Sequence, residues 1–249
     1  MRPDGTRLAF RTTGPATRVQ VVFLPGFCSD MDGIKAQTLR RWAAAAGVCC
    51  VCFDYFGHGQ SDGDYRDGTL SRWLEDALAV IDATGRAERL VLVGASMGGW
   101  LALLAARALH EAVSGVVLLA PAPDFTERVW ESQGGGSSLP SRSLYCPAYG
   151  GGEYELRPAL IEDARRHLLR EARIAVPARV SVLHGLEDQE VPWQGSLELM
   201  NRLPAERSTL TLLHVDHRLS DAQALRWMLQ AVQAAVDEAK GVDPSTPLS

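Results

Sequence analysis

Two periodicities alternate along this chain. Near-continuous apolar runs at 19–24, 48–53, 90–93, 116–119, 179–184 and 208–213 have the length and β-branched content of buried strands. Between most of them, apolar residues recur three and four apart. The clearest case follows Thr69, where Leu70, Trp73, Leu74, Ala77, Leu78 and Ile81 would form one buried helical face with the threonine as cap. Further helices are predicted over 34–46, ended by Gly47, over 100–109 and over 193–203. A last one begins at Ser220, where Gln223 completes a capping box and Leu225, Leu229, Val232 and Val236 share a face. Strands alternating with helices predict an α/β fold, a mostly parallel, doubly wound sheet with helices on both faces. An early strand over 7–12, after the Asp4-Gly5 turn, would run antiparallel at its edge.

The alternation breaks over 121–176. Glycine runs at 134–136 and 150–152 interrupt this stretch, and its one predicted helix, 158–173, has Pro158 in the first turn. An insertion at this point in the order would lie over the carboxyl ends of the strands and cover whatever binds there, so it is expected to be a small cap. Residues 1–240 then form a single domain, and 241–249 a flexible tail.

Composition narrows the function classes. The chain has 249 residues, 46% hydrophobic and 22% charged, with a net charge of −5. Its charges are interspersed, which gives no electrostatic reason to expect nucleic acid or an anionic membrane as partner. The uncharged stretch 90–106 is too short for a membrane helix and is broken by glycines, so no membrane span is expected. Five cysteines form no metal-ligand spacing. Cys50 and Cys52 would face one side of a strand and Cys49 the other, which suits free thiols in a reducing, cytoplasmic setting without a metal or other cofactor.

The chemistry centres on Gly94-Ala95-Ser96-Met97-Gly98-Gly99. A buried strand enters it and an apolar helix leaves it, the order of a nucleophile elbow with Ser96 at the apex. A serine hydroxyl needs a base to take its proton, and that base needs a carboxylate to fix its tautomer. Ligands of a doubly wound sheet bind beyond its carboxyl ends, so both partners should follow later strands. Asp188, in the turn after His184-Gly185, is the preferred acid, with Glu190 as alternative and Glu187 solvated. His217 is preferred to His214 as base, lying further out in its loop. Two backbone N–H groups, those of Met97 and Phe27, would form the oxyanion hole. Cys28, Trp193, Tyr145 and Tyr149 are candidate lining residues of a substrate pocket, while Asp54, His58 and His184 are expected to order loops.

These motifs, together with Phe53-Asp54-Tyr55, Gly57-His58-Gly59-Gln60-Ser61, Val191-Pro192-Trp193 and Asp216-His217-Arg218, resemble the α/β-hydrolase superfamily over nearly the whole chain. The order Ser96, Asp188, His217 is also that superfamily's order. Within it the chain is similar to the branch of mitochondrial palmitoyl-protein thioesterases that also cleave acyl glucuronides. The resemblance implies a cofactor-free serine hydrolase acting on small-molecule or acylated-protein esters or thioesters, and offers mitochondria as the alternative location. On the residues alone, a peptidase, amide or lactone hydrolase with the same triad stays open, as does a non-catalytic ligand receptor. Acidic residues of the cap facing the pocket, Glu153 and Glu155, would favour amide substrates.

Overall fold

The computed structural model describes residues 2, 4–135, 142–147, 151–170 and 173–241. In chain order its first strands are Phe10–Thr13 (β1), Val19–Leu24 (β2), Cys49–Phe53 (β3), Arg89–Ala95 (β4) and Val113–Leu119 (β5). Leu144–Pro147 (β6), Glu153–Leu156 (β7), Arg179–Gly185 (β8) and Ser208–Leu213 (β9) follow. The helices are Ile34–Ala46 (α1), Leu70–Ala83 (α2), Met97–Leu109 (α3), Phe125–Ser132 (α4), Pro158–Ala164 (α5), Gln194–Met200 (α6) and Ala222–Lys240 (α7).

β2 and β3 are buried at every position, so they need cover on both faces. Alternate residues provide for this. Val19, Val21, Phe23, Cys50 and Cys52 pack toward α1 and α7, whereas Val22, Leu24, Cys49 and Val51 pack toward α2 and α3. The described residues form one seven-stranded sheet in the order β1-β3-β2-β4-β5-β8-β9, parallel except for β1, which pairs antiparallel with β3. The fold is the α/β-hydrolase fold. Successive crossovers run in opposite directions, from β2 to β3 one way and from β3 back past β2 to β4, so a crevice opens at the carboxyl ends of β2 and β4. Leu24 pairs with Gly94 and Ala95 with Leu119, so the ends of β2, β4 and β5 stand level around that crevice.

Several elements differ from the sequence expectation. The edge strand is Phe10–Thr13, since Arg7 at the expected start gives its backbone N–H to the Asp62 carboxylate instead. The helix expected over 158–173 ends at Ala164 and passes into a 3₁₀ turn. Tertiary partners take the groups it would have used: Trp100 Nε1 donates to the His167 carbonyl, and the Leu169 N–H donates to Asp124. The last helix is capped by Asp221, whose carboxylate accepts from the Gln223 and Ala224 N–H groups at 2.8 and 3.0 Å, and not by Ser220. Finally, the segment between β5 and β8 is more regular than its glycines suggest, holding α4 and the antiparallel hairpin β6–β7. Of the tail, Gly241 alone is among the described residues.

Candidate active site

Ser96 joins β4 to α3 with φ +51° and ψ −117°, a conformation that side chains rarely accept. Its surroundings hold it there. The Ser96 N–H donates to the Leu119 carbonyl at 2.9 Å, and its own carbonyl accepts from Ala122 N–H at 3.1 Å. Gly98 is needed because a Cβ there would stand 2.0 Å from the Leu24 carbonyl oxygen. The loop after β2 is thereby pressed onto the elbow, and a Cβ on Gly26 would meet Ser96 Cβ at 3.4 Å. Phe27 follows directly. Neither its N–H nor that of Met97 has a hydrogen-bond partner among the described residues.

His217 and Asp188 come from the loops after β9 and β8. Those loops are stitched together: the Leu186 and Glu187 N–H groups donate to Leu213 and Val215 carbonyls at 2.7 and 3.1 Å. Gly185 permits the approach, since a Cβ on it would lie 2.2 Å from the Val215 carbonyl. The result is a line of contacts in which His217 Nε2 is 3.1 Å from Ser96 Oγ and His217 Nδ1 is 2.7 Å from Asp188 Oδ2. A carboxylate on Nδ1 requires the proton there, leaving the Nε2 lone pair for the serine hydroxyl.

Burial alone would raise the Asp188 pKa. Hydrogen bonds from His184, His217 and the Val191 N–H outweigh it and hold the carboxyl well below its usual range. Asp188 Oδ1 accepts from the Glu190 and Val191 N–H groups at 2.9 and 2.7 Å. His184 is wholly buried behind it. Its Nδ1 accepts from the Ser196 hydroxyl at 2.7 Å, and its Nε2–H faces both Asp188 Oδ2 and the Val191 carbonyl at 3.0 Å. Glu187 and Glu190 are exposed. Glu190 lies 4.0 Å from His217 Nε2, the nitrogen that faces Ser96, whereas Asp188 contacts Nδ1. His214 is exposed at the strand end.

Around Phe27 the structure gathers an aromatic wall: Tyr154 at 5.4 Å between ring centroids, Tyr65 at 5.6 Å, Trp73 at 5.7 Å and Phe125 at 5.8 Å. Next to it, Cys28 takes φ +53° and is half-buried. Burial pushes its thiol up to about 12, with Cys146 and Asp64 adding to the effect. A cavity of about 560 Å³ lies beyond, lined by Gly57, Asp64, Tyr65, Arg66, Tyr145 and Glu153 among others. Trp193 stands at the start of α6, and Tyr149 lies outside the described residues. Asp54 and His58 order their loop, the first accepting from the Met31 and Gln60 N–H groups, the second donating Nδ1–H to the Phe56 carbonyl.

Residues 21–244 match the model of the alpha/beta hydrolase family. The chain belongs to that family. This alpha/beta hydrolase is 31% identical over 248 residues to the human protein named palmitoyl-protein thioesterase ABHD10, mitochondrial, a match covering 95% of the chain and 79% of the relative. The solved mouse alpha/beta hydrolase domain-containing protein 10 superposes with a TM-score of 0.81 at 28% identity, covering 96% of this chain and 97% of that one. A solved structure from Agrobacterium vitis S4 gives 0.87 at 38% identity, with 95% of each chain covered.

Some contacts of this alpha/beta hydrolase's site are not apparent from sequence. Lys35, at the start of α1, donates from Nζ to the carbonyl of Arg218 at 2.6 Å, next to His217. Burial lowers its pKa to about 8, with Asp216 and Glu190 pulling upward and Arg218 downward. Phe125 and Tyr65 belong to the aromatic wall through long-range packing that no local motif signals. The Pro123-Asp124 pair before Phe125 is the available sign of a helix start. No helix among the described residues is long and apolar enough to cross a membrane.

Proposed function

We propose that this chain is a serine hydrolase that cleaves carboxylic esters or thioesters through an acyl-enzyme on Ser96. The observation that carries the reading is the hydrogen-bonded line from Ser96 Oγ through His217 to Asp188. His217 Nε2 takes the hydroxyl proton as Oγ attacks the acyl carbon, and the carbonyl oxygen becomes an oxyanion between the Met97 and Phe27 N–H groups. Collapse of this intermediate breaks the bond to the leaving alcohol or thiol, which receives the proton from His217. Water, deprotonated by the same nitrogen, then attacks the acyl carbon; the acid leaves and Ser96 recovers its proton. Asp188 stays ionised throughout and holds the imidazolium, while His184 holds Asp188.

The segment between β5 and β8 acts as the cap, and its Phe125 and Tyr154 give the acyl chain an apolar wall with Phe27. The name of the human relative favours long-chain acyl thioesters on proteins as substrate. Small esters share the same reacting atoms. An amide reading draws on Glu153 and Glu155, which line the cavity with Tyr65 and Tyr145, whereas Ser96 and His217 do not line it. Arg66 lines it as well, and Glu155 is held by the Ser143 hydroxyl and lies 3.7 Å from Arg157 Nε, so ester chemistry is preferred. All five cysteines are free thiols, consistent with a reducing compartment, cytoplasmic or, following the relative's name, mitochondrial.

The test is hydrolysis of short and long acyl esters, palmitoyl thioesters and an acyl glucuronide by wild type and Ser96→Ala. The variant should lose ~10⁴-fold or more in turnover while keeping the wild-type melting temperature. Equal turnover by the two proteins would remove Ser96 from the chemistry. Binding without turnover by both would make the chain a receptor.

A further inference from the structure

The acidic residues of α4 are matched with partners. Glu127 accepts from Arg165 Nε at 2.7 Å, and Glu131 from Arg170 Nη1 at 2.7 Å. Arg128, between them, is not. It is half-buried, yet among the described residues its guanidinium makes no hydrogen bond and no close ion pair. None of its nitrogens is sealed from solvent.

Its position points toward the reaction. Phe125, one turn earlier on the same helix face, lies against both Phe27 and Trp100, at 5.8 and 6.2 Å between centroids. Arg128 therefore projects from the inward side of α4. Its Nη1 is 3.8 Å from where a Cβ on Gly195 would be, next to Ser196, whose hydroxyl holds His184 behind Asp188. Three carboxylates act on the guanidinium from a distance, those of Asp124, Asp188 and Glu198. Asp124 is occupied by the Leu169 N–H, Asp188 by two imidazoles and two backbone N–H groups, and Glu198 sits on an exposed part of α6. Burial lowers the affinity of Arg128 for its proton, with those carboxylates opposing it, but a guanidinium stays charged in proteins. A permanent, partly desolvated cation with its donor fork unfilled is the arrangement that receives an anion.

We propose that Arg128 is an anion subsite of the crevice, selecting esters or thioesters that carry a carboxylate away from the scissile bond; this rests on the esterase reading above. The carboxylate belongs either to the acyl part or to the leaving group, and paired substrates separate the two. Mono-4-nitrophenyl glutarate is compared with 4-nitrophenyl pentanoate, and the pentanoate ester of 4-hydroxybenzoate with that of 4-hydroxybenzamide. In one pair, the ratio of kcat/KM for the anionic over the neutral member should fall about ten- to hundredfold in Arg128→Met, the scale of one charge-assisted hydrogen bond, and by less in Arg128→Lys. Ratios unchanged in both pairs, whether absolute rates hold or drop together, would overturn the subsite and leave Arg128 a structural residue. If Arg128→Met does not fold, Arg128→Gln carries the same comparison. If wild type hydrolyses none of the four, the esterase reading fails by itself. Calorimetric binding of the same pairs to Ser96→Ala, with and without Arg128→Met, then still decides whether Arg128 prefers the anionic member.

Discussion

At Ser96 the backbone, more than the side chain, makes the site. The strained φ persists because the residue's N–H is tied to Leu119 of β5 and its carbonyl to Ala122 just beyond that strand, while Gly98 lets the loop after β2 press in from the other side. A methyl group at Gly98 would meet the Leu24 and Pro25 carbonyl oxygens at 2.0 and 2.4 Å. These are backbone atoms of the loop that carries Phe27, so the loop must move. Gly98→Ala is therefore expected to cost ~1–3 kcal/mol or more, seen as a lowered melting temperature, and to reduce ester turnover further than the stability loss explains. A variant with wild-type melting and turnover would mean that the elbow is not close-packed. The proposed line of Ser96, His217 and Asp188 is legible in sequence because each residue sits in a short motif next to a strand end. The choice of Asp188 over Glu190 is less legible there. It turns on which ring nitrogen each carboxylate approaches and how closely, a matter of loop geometry that spacing does not encode.

The elements show the same division between local and distant information. Thr69 caps α2 as its spacing implies, accepting from the Arg72 N–H, because hydroxyl and helix start lie within one turn. At α7 two adjacent residues could cap, and the sequence pattern favours Ser220; the carboxylate of Asp221 reaches two N–H groups instead. Removing it by Asp221→Ala should cost ~1 kcal/mol, and Ser220→Ala less than ~0.5 kcal/mol. Thermal melts of the two variants check this, with about 2–4 °C per kcal/mol expected for a chain of this size. Equal shifts would return the cap to Ser220. α4 escapes prediction for a different reason. Its glutamates, Glu127 and Glu131, are satisfied from afar by Arg165 and Arg170, and a lone window of sequence shows charges beside a glycine run.

Across the whole molecule, one hydrogen bond couples the first helix to the loop of His217. Lys35 and Arg218 are separated by 183 positions, so the contact next to His217 joins distant parts of the chain. The ammonium group makes this contact at the cost of lost hydration, and burial brings its pKa down to about 8. An unfolded lysine holds its proton to ~10.4. Between those values the unfolded chain binds the proton and the folded chain has released it. Stability therefore rises with pH through this window, because the difference in bound protons is positive. Below about 8 the folded state carries the desolvated charge in full. Lys35→Met lacks the titration, so the stability of wild type relative to the variant should increase from about pH 8 to about pH 10.5, read from denaturant midpoints at each pH. Parallel curves would mean that the amine is hydrated in the folded state. The contact with the Arg218 carbonyl would then be too weak to hold the histidine loop, and ester turnover by Lys35→Met would match wild type. A diverging pair, with turnover reduced in the variant, places α1 among the elements that position the base.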